Sequence, residues 1–195
     1  MALQDFEQRR MFMSEEEYLA FDRASEIKHE YYNGLVVAMS GGTLAHDRLA
    51  GTMYALIREK LGILGPCQVY TSNTRVFVPE KPSKRQYVYP DVTVTCDIAD
   101  YQESDIINSP RLIVEVLSPS TEKIDQGDKL KWYKAHPCIQ EYVIIHTRLQ
   151  RVEIHRRSGD IWTYHTYSAG ETIELVSLDM QIPVDTLYLG LRIPK

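Results

Sequence analysis

The sequence predicts an α/β fold in which a mixed β-sheet is flanked by helices. Three observations carry this. Residues 111–118 and 141–146 are apolar runs of strand length, and a Lys-rich helical pattern lies between them. A strand, a helix and another strand in that order close most readily as a parallel crossover. His46, Leu49, Ala50, Met53, Ile57 and Leu61 recur at helical spacing and give a second, amphipathic helix. Finally, β-hairpin patterns stand near both ends of the chain, so the sheet carries antiparallel as well as parallel pairs.

Each element has a local cause. Ser14 followed by Glu17 forms a capping box, opening a short helix whose apolar residues are Tyr18, Leu19 and Phe21. It ends near Ser25 and serves as a lid or a packing element. Asn33-Gly34 is the favoured pair for a type I′ turn, so residues 28–39 read as a hairpin with Glu30 and Tyr32 on one face. Thr43 is placed to cap the His46 helix, which runs to Gly62. Residues 68–78 alternate as one strand, and the basic stretch Lys81, Pro82, Ser83, Lys84, Arg85 reads as a turn-rich loop. A strand headed by Asp91, an acidic loop at 97–105 and the Glu115 strand follow. The helix between Lys123 and His136 contains Gly127, which costs roughly 1 kcal/mol against alanine inside a helix. Residues 151–157 and 161–167 form a hairpin around Gly159, and a strand near 172–175 and a short segment at 183–189 end the chain. The 195 residues read as one domain: a helical extension (1–27), a hairpin (28–40), a core (43–147) and a C-terminal hairpin extension (148–195).

Composition narrows the function classes. No apolar run reaches membrane-span length, and the N-terminus lacks a signal-peptide pattern. Cys67, Cys96 and Cys138 are scattered and odd in number, which argues against a zinc site or disulfide framework and suits a reducing cytoplasm. The net charge is −5, of which −4 belongs to residues 1–30, so charge neither favours nor excludes a nucleic-acid partner.

The chemistry centres on Glu115. Leu112, Val114 and Val116 share one face of its strand, and Ile113 and Leu117 share the other with Glu115, so a carboxylate sits in an apolar setting on both sides. Such a group needs a cation or an ion pair to offset several kcal/mol of desolvation. Asp91, at the head of the preceding strand, is either a metal co-ligand or an ordinary strand-starting aspartate. Two carboxylates on neighbouring strand ends suit Mg²⁺ or Mn²⁺, with the main-chain carbonyl of Val116 as a further ligand. Asp125, Lys129 and Tyr133 fall on one helix face. Lys129 is then a catalytic cation or one half of a surface pair with Asp125. His46 is a core histidine or, beside a helix N-terminus, a group facing a phosphate or a metal-bound water. Glu30 has no assignment from spacing alone. Lys81, Lys84, Arg85 and the arginines of residues 148–157 are phosphate contacts or solvated surface.

Several motifs together resemble one family: Glu30-Tyr-Tyr-Asn-Gly34, Met39-Ser-Gly-Gly-Thr43 with His46, Tyr89-Pro-Asp91, Glu115-Val-Leu-Ser-Pro-Ser-Thr121, Asp125 with Lys129 and Tyr133, and Glu141-Tyr-Val. From about Ser14 to Leu189 the sequence is similar to the bacterial Uma family of the restriction-endonuclease-like PD-(D/E)XK superfamily. The resemblance implies a central mixed sheet flanked by helices, metal-binding acids at Asp91 and Glu115, site-lining roles for Glu30 and His46, and homodimers. It also exposes a departure: Leu117 stands where the superfamily pattern has lysine, which makes Lys129 the substitute. The expectation is a Mg²⁺-dependent endonuclease acting on DNA in the cytoplasm, with Asp91, Glu115 and Lys129 catalytic and Asp125 and Tyr133 lining the site. The alternative is a catalytically degenerate binding or dimerisation module, in which Lys129 would point away from the acids.

Overall fold

A computed structural model of the chain describes residues 11–39, 41–81, 84–102 and 105–194. After a short strand β1 (Met11–Phe12) the helix α1 (Glu15–Ala24) begins at the expected capping box. The Ser14 hydroxyl accepts the Glu17 amide at 3.3 Å, and the Glu17 carboxylate accepts the Ser14 amide at 2.8 Å. The helix buries Tyr18 against Tyr31, Val36 and Tyr87, so it is a packing element. Asn33 and Gly34 have φ of 48° and 105°, the double positive φ that a type I′ turn needs, and they join β2 (His29–Tyr32) to β3 (Leu35–Ala38). Thr43 caps α2 (Leu44–Leu61), whose Leu49, Met53 and Ile57 are buried.

The stretch read as one strand at 68–78 is two: β4 (Gln68–Thr71) and β5 (Arg75–Lys81), separated by a turn closed from the Thr74 amide to the Thr71 carbonyl at 3.2 Å. Local alternation could not reveal that the two strands enter different sheets. The basic stretch is likewise mostly strand, since β6 (Lys84–Val88) pairs back on β5. Pro82 and Ser83 and the Lys81 and Lys84 side chains lie outside the described residues. Next come β7 (Val92–Thr95), β8 (Ile106–Ile107) and β9 (Pro110–Val116). The Lys-rich helix is broken into α3 (Glu122–Ile124), a π-helical turn (Asp125–Lys129) and α4 (Leu130–Ala135). The strands β10 (Glu141–Ile145), β11 (Arg151–Ser158) and β12 (Ile161–Ser168) follow as expected. β13 (Thr172–Leu175) pairs with β14 (Met180–Pro183), a strand that sequence patterning missed, before α5 (Val184–Leu187).

Among the described residues the strands form two six-stranded sheets and one two-stranded sheet. One has the order β1-β3-β2-β6-β5-β8, so the N-terminal hairpin joins β5, β6 and β8 in a sheet separate from the one that carries Glu115. The other, β12-β11-β10-β9-β7-β4, contains the parallel β9–β10 pair that the crossover predicted, with antiparallel pairs on both sides. Leu112, Val114 and Val116 of β9 pack with α2, while Ile113 and Leu117 face Val76, Val78, Tyr133 and Tyr142 between the two large sheets. No helix among the described residues is long and apolar enough to cross a membrane.

The cysteine expectation is overturned. Cys67 and Cys96 form a disulfide, and Cys138 is free. The antiparallel register pairs Gln68 with Thr95, which sets the residues just beyond them opposite each other. That pairing depends on strand register across 29 residues of chain, so spacing alone could not show it. The cysteine count therefore carries no weight for a reducing compartment.

Two buried histidines make the fold sensitive to acid. Nδ1 of His136 accepts the Cys138 amide at 3.2 Å, which a protonated ring could not do. His155 lies against the rings of Tyr142 and Tyr164 with Nδ1 buried and without a hydrogen-bond partner. Burial, helped by Arg157 at His136 and by Lys134 at His155, pulls each pKa from 6.5 down to about 4. Both rings fold neutral, so their contribution is complete above pH 6.5 and is lost as the pH falls towards 4, where the unfolded chain binds protons that the folded one does not. At about pH 5 the loss is on the order of 2 kcal/mol for each ring. Urea midpoints should fall between neutral pH and pH 5, and His155→Phe should remove part of that fall. Equal midpoints in wild type at the two pH values would refute the account.

Candidate active site

β7 and β9 run antiparallel with Val92 opposite Val114, which sets position 91 beside position 115 at the sheet's end. Asp91 is fixed there by the backbone: its Oδ2 accepts the Val116 amide at 2.7 Å. His46 Nε2 stands 3.3 Å from the same oxygen. The first turn of α2 delivers that ring past Gly42, where a Cβ would lie 2.7 Å from His46 Nδ1, so the approach needs glycine. Glu115 is 5% exposed, on the strand face that looks between the sheets.

Lys129 reaches this face from the π turn. Its Nζ lies 3.0 Å from Glu115 Oε1, 3.0 Å from Glu30 Oε1 and 3.4 Å from Asp125 Oδ1. Tyr133 donates its hydroxyl proton to the same Glu115 oxygen at 2.9 Å. π turns inside helices often mark functional sites. Here the turn ends at Lys129, with both Asp125 and Lys129 buried. Leu117, at the usual lysine position, is a core residue. Glu30 links the N-terminal hairpin to the site: Oε1 accepts the Tyr89 amide at 3.1 Å, and the Tyr32 hydroxyl donates to Oε2.

Glu30, Asp91, Glu115 and Asp125 are thus gathered around one lysine and one histidine. Burial pushes the Glu115 carboxyl well above the usual carboxylate range; Lys129 opposes this, and Asp125, Asp91 and Glu30 add to it. Burial also raises Asp125. At Lys129 burial disfavours the charged amine, but Glu115 and Glu30 outweigh it and hold the ammonium well above its ordinary value. The hydrogen bond to Asp91 raises His46 against the effect of burial. Acid exceeds base in this cluster, since four carboxylates share one ammonium and one imidazole, and Asp125 Oδ1 has Lys129 at only 3.4 Å.

That imbalance is what an added cation would correct. Among the described residues no three His, Cys, Asp or Glu side chains group as a metal cage. A pair of carboxylates with one main-chain carbonyl is nonetheless a donor set that suits Mg²⁺, which keeps several waters and takes substrate phosphate oxygens. The donors fit. Glu30, Asp91 and Glu115 open on a cleft of about 1130 Å³, lined on one part by β3 and on another by α3, the π turn and the start of α4.

Residues 15–185 match the model of the Uma2 family, described as "Putative restriction endonuclease". The chain belongs to the Uma2 family. Relatives include two uncharacterized proteins of Synechocystis sp. The one designated slr1290 is 33% identical over 180 residues, 92% of this chain and 93% of the relative. The one designated sll1609 is 29% identical over 168 residues, 85% and 93% respectively. A crystal structure described as a "putative nuclease belonging to DUF820" from Anabaena variabilis superposes with a TM-score of 0.68 at 15% identity. The match covers 84% of this chain and 91% of that one and shows a shared fold.

In this Uma2 chain, six of the eight residues singled out from the sequence line the cleft: Asp91, Glu115, Val116, Lys129, Glu30 and His46. Asp125 and Tyr133, expected to line the site, are instead buried against Lys129 and Glu115. The surface reading of Lys129 is overturned, since its side chain is 4% exposed. Of the arginines read as phosphate contacts or solvated surface, Arg85, Arg148 and Arg151 are surface residues beside Glu15, Glu122 and Glu153, and Arg156 is largely buried against Glu141. Tyr32 and Tyr89 were missed. The Glu30 and Tyr32 face could have flagged Tyr32, but Tyr89 acts through its amide and leaves no signal in the sequence.

Proposed function

We propose that the protein is a Mg²⁺- or Mn²⁺-dependent nuclease that hydrolyses DNA phosphodiester bonds. Asp91 and Glu115, with the Val116 carbonyl, would hold the cation. A divalent ion there supplies Lewis acidity at a phosphoryl oxygen. The chain's own residues do the rest. Lys129 orients the attacking water and neutralises charge that develops on the phosphate. Tyr133 fixes the Glu115 rotamer through Oε1, and the Val116 amide fixes Asp91. His46 helps to hold Asp91 through the same Oδ2, which leaves Oδ1 for the cation.

The observation that carries this reading is Lys129 Nζ at 3.0 Å from Glu115. A lysine supplied by the following helix stands at the acid where the sequence pattern left Leu117. The rival binding module would have turned that lysine outward. The reading is tested by incubating purified protein with varied DNA and Mg²⁺ or Mn²⁺, alongside calorimetric metal titration of wild type and Asp91→Asn. Cleavage stopped by EDTA, and metal affinity lowered by at least about 10-fold in Asp91→Asn, are expected. Cleavage that survives Glu115→Ala, or that never appears on any DNA with metal, refutes the proposal.

A further inference from the structure

The two walls of the cleft differ in kind. β3 alternates: Val36 turns into the core with Tyr18, Tyr31 and Tyr87, while Leu35 and Val37 stay half-buried and line the cleft, with Met39 beyond them. Opposite, Lys123 and Lys131 project from α3 and α4 into the same space and are exposed, Lys131 in a solvent-facing pair with Asp128 at 2.9 Å that a phosphate can displace. Between them lie the acids, with Glu115 5% exposed at the bottom.

A phosphodiester has to descend between these walls to reach Glu115. An intact duplex would bring two charged backbones and sheathed bases, and the β3 wall offers neither of those backbones a partner. Binding along a duplex also needs many phosphate contacts from free cations. Yet Arg75 and Arg156 are buried against Asp22 and Glu141, and neither Arg23, paired with Asp105, nor Arg85, paired with Glu15, lines the cleft. An unpaired strand fits both walls: its bases have bare apolar faces for Leu35, Val37 and Met39, and its phosphates meet Lys123 and Lys131. The volume exceeds the roughly 300–1,000 Å³ of small-molecule sites and so suits a short run of nucleotides.

Resting on the nuclease reading above, we propose that the cleft takes unpaired DNA, a single strand or a locally opened end, with bases on the β3 wall and phosphates on the lysine wall. Two phosphate contacts predict a shallow salt dependence, a log–log slope of about −1.4. Fluorescence anisotropy and cleavage rates can be followed in Mg²⁺ with a labelled oligothymidylate strand and with the same strand annealed to oligoadenylate. The strand should bind at least about 10-fold more tightly than the duplex, and Val37→Asn should weaken strand binding by about 10-fold. Val37→Thr, which keeps the β-branched shape, should show a smaller loss in the same direction and serves if the asparagine variant fails to fold. If the duplex is bound and cut as well as the strand, this inference falls and the nuclease reading stands. If the strand is bound through Val37 but never cut in Mg²⁺ or Mn²⁺, the nuclease reading falls and the strand site stands. If neither is bound, both fall.

Discussion

Glu115→Gln is expected to silence metal-dependent cleavage while making the folded chain more stable. The amide keeps the shape of the side chain, and its oxygen can still accept from Lys129 and Tyr133, so packing at the cleft floor is retained. What it loses is a charge that the proposed cation would need and that burial disfavours. Loss of activity should exceed about 100-fold, the upper range seen when groups that merely support a metal ligand are removed. The stability gain follows from the raised Glu115 carboxyl, held up by burial and by its acidic neighbours. A carboxyl favoured in its neutral form by the fold burdens stability as the pH climbs above its unfolded value, near 4.5. Wild type and variant should therefore have similar urea midpoints near that pH and diverge as the pH rises. At neutral pH the gap should be about 0.5–2 kcal/mol, the usual size of a stabilising substitution. An inactive variant that is also less stable at neutral pH would show that Lys129 already balances Glu115, and the case for surplus acid would fail.

The parts of this site that could be read from the sequence are those set by local periodicity. The faces of β9 follow from a two-residue repeat, so Glu115 was bound to share its side with Ile113 and Leu117, and it does. The Ser14 capping box and the Asn33-Gly34 turn are equally local. Lys129 marks the limit. A spacing of four from Asp125 describes a surface ion pair as well as a buried one, and only the π turn, whose interior holds Gly127, directs the lysine inward. Glu30 shows the same limit from the other side. Its shared face with Tyr32 was visible, but its partners lie on distant segments, the Tyr89 amide and the Lys129 amine. The Cys67–Cys96 pair and the division of residues 68–81 between two sheets likewise depend on which strands become neighbours, and no local pattern encodes that.

Lys129→Met should be the most damaging single change in the cleft. Methionine fills much of the same volume, so lost packing is small, but three carboxylates keep their places with no cation among them. Breaking a buried ion pair by removing one partner costs about 3–5 kcal/mol, because the remaining charge stays desolvated. Cleavage should disappear as well, yet the stability readout is what separates Lys129 from a lysine that only touches substrate, whose removal would leave the urea midpoint in place. The remaining acids should then take up protons on folding, so the variant regains stability as the pH falls, against the trend set by His136 and His155 in wild type. Adding Glu115→Gln to Lys129→Met removes one of the stranded charges. The double variant should be more stable than the sum of the two single effects by about 0.5–3 kcal/mol, the range for groups in direct contact. Additive effects would mean that Glu115 and Lys129 do not share their charge in the folded chain, and the ion pair on which the proposed chemistry depends would have to be abandoned.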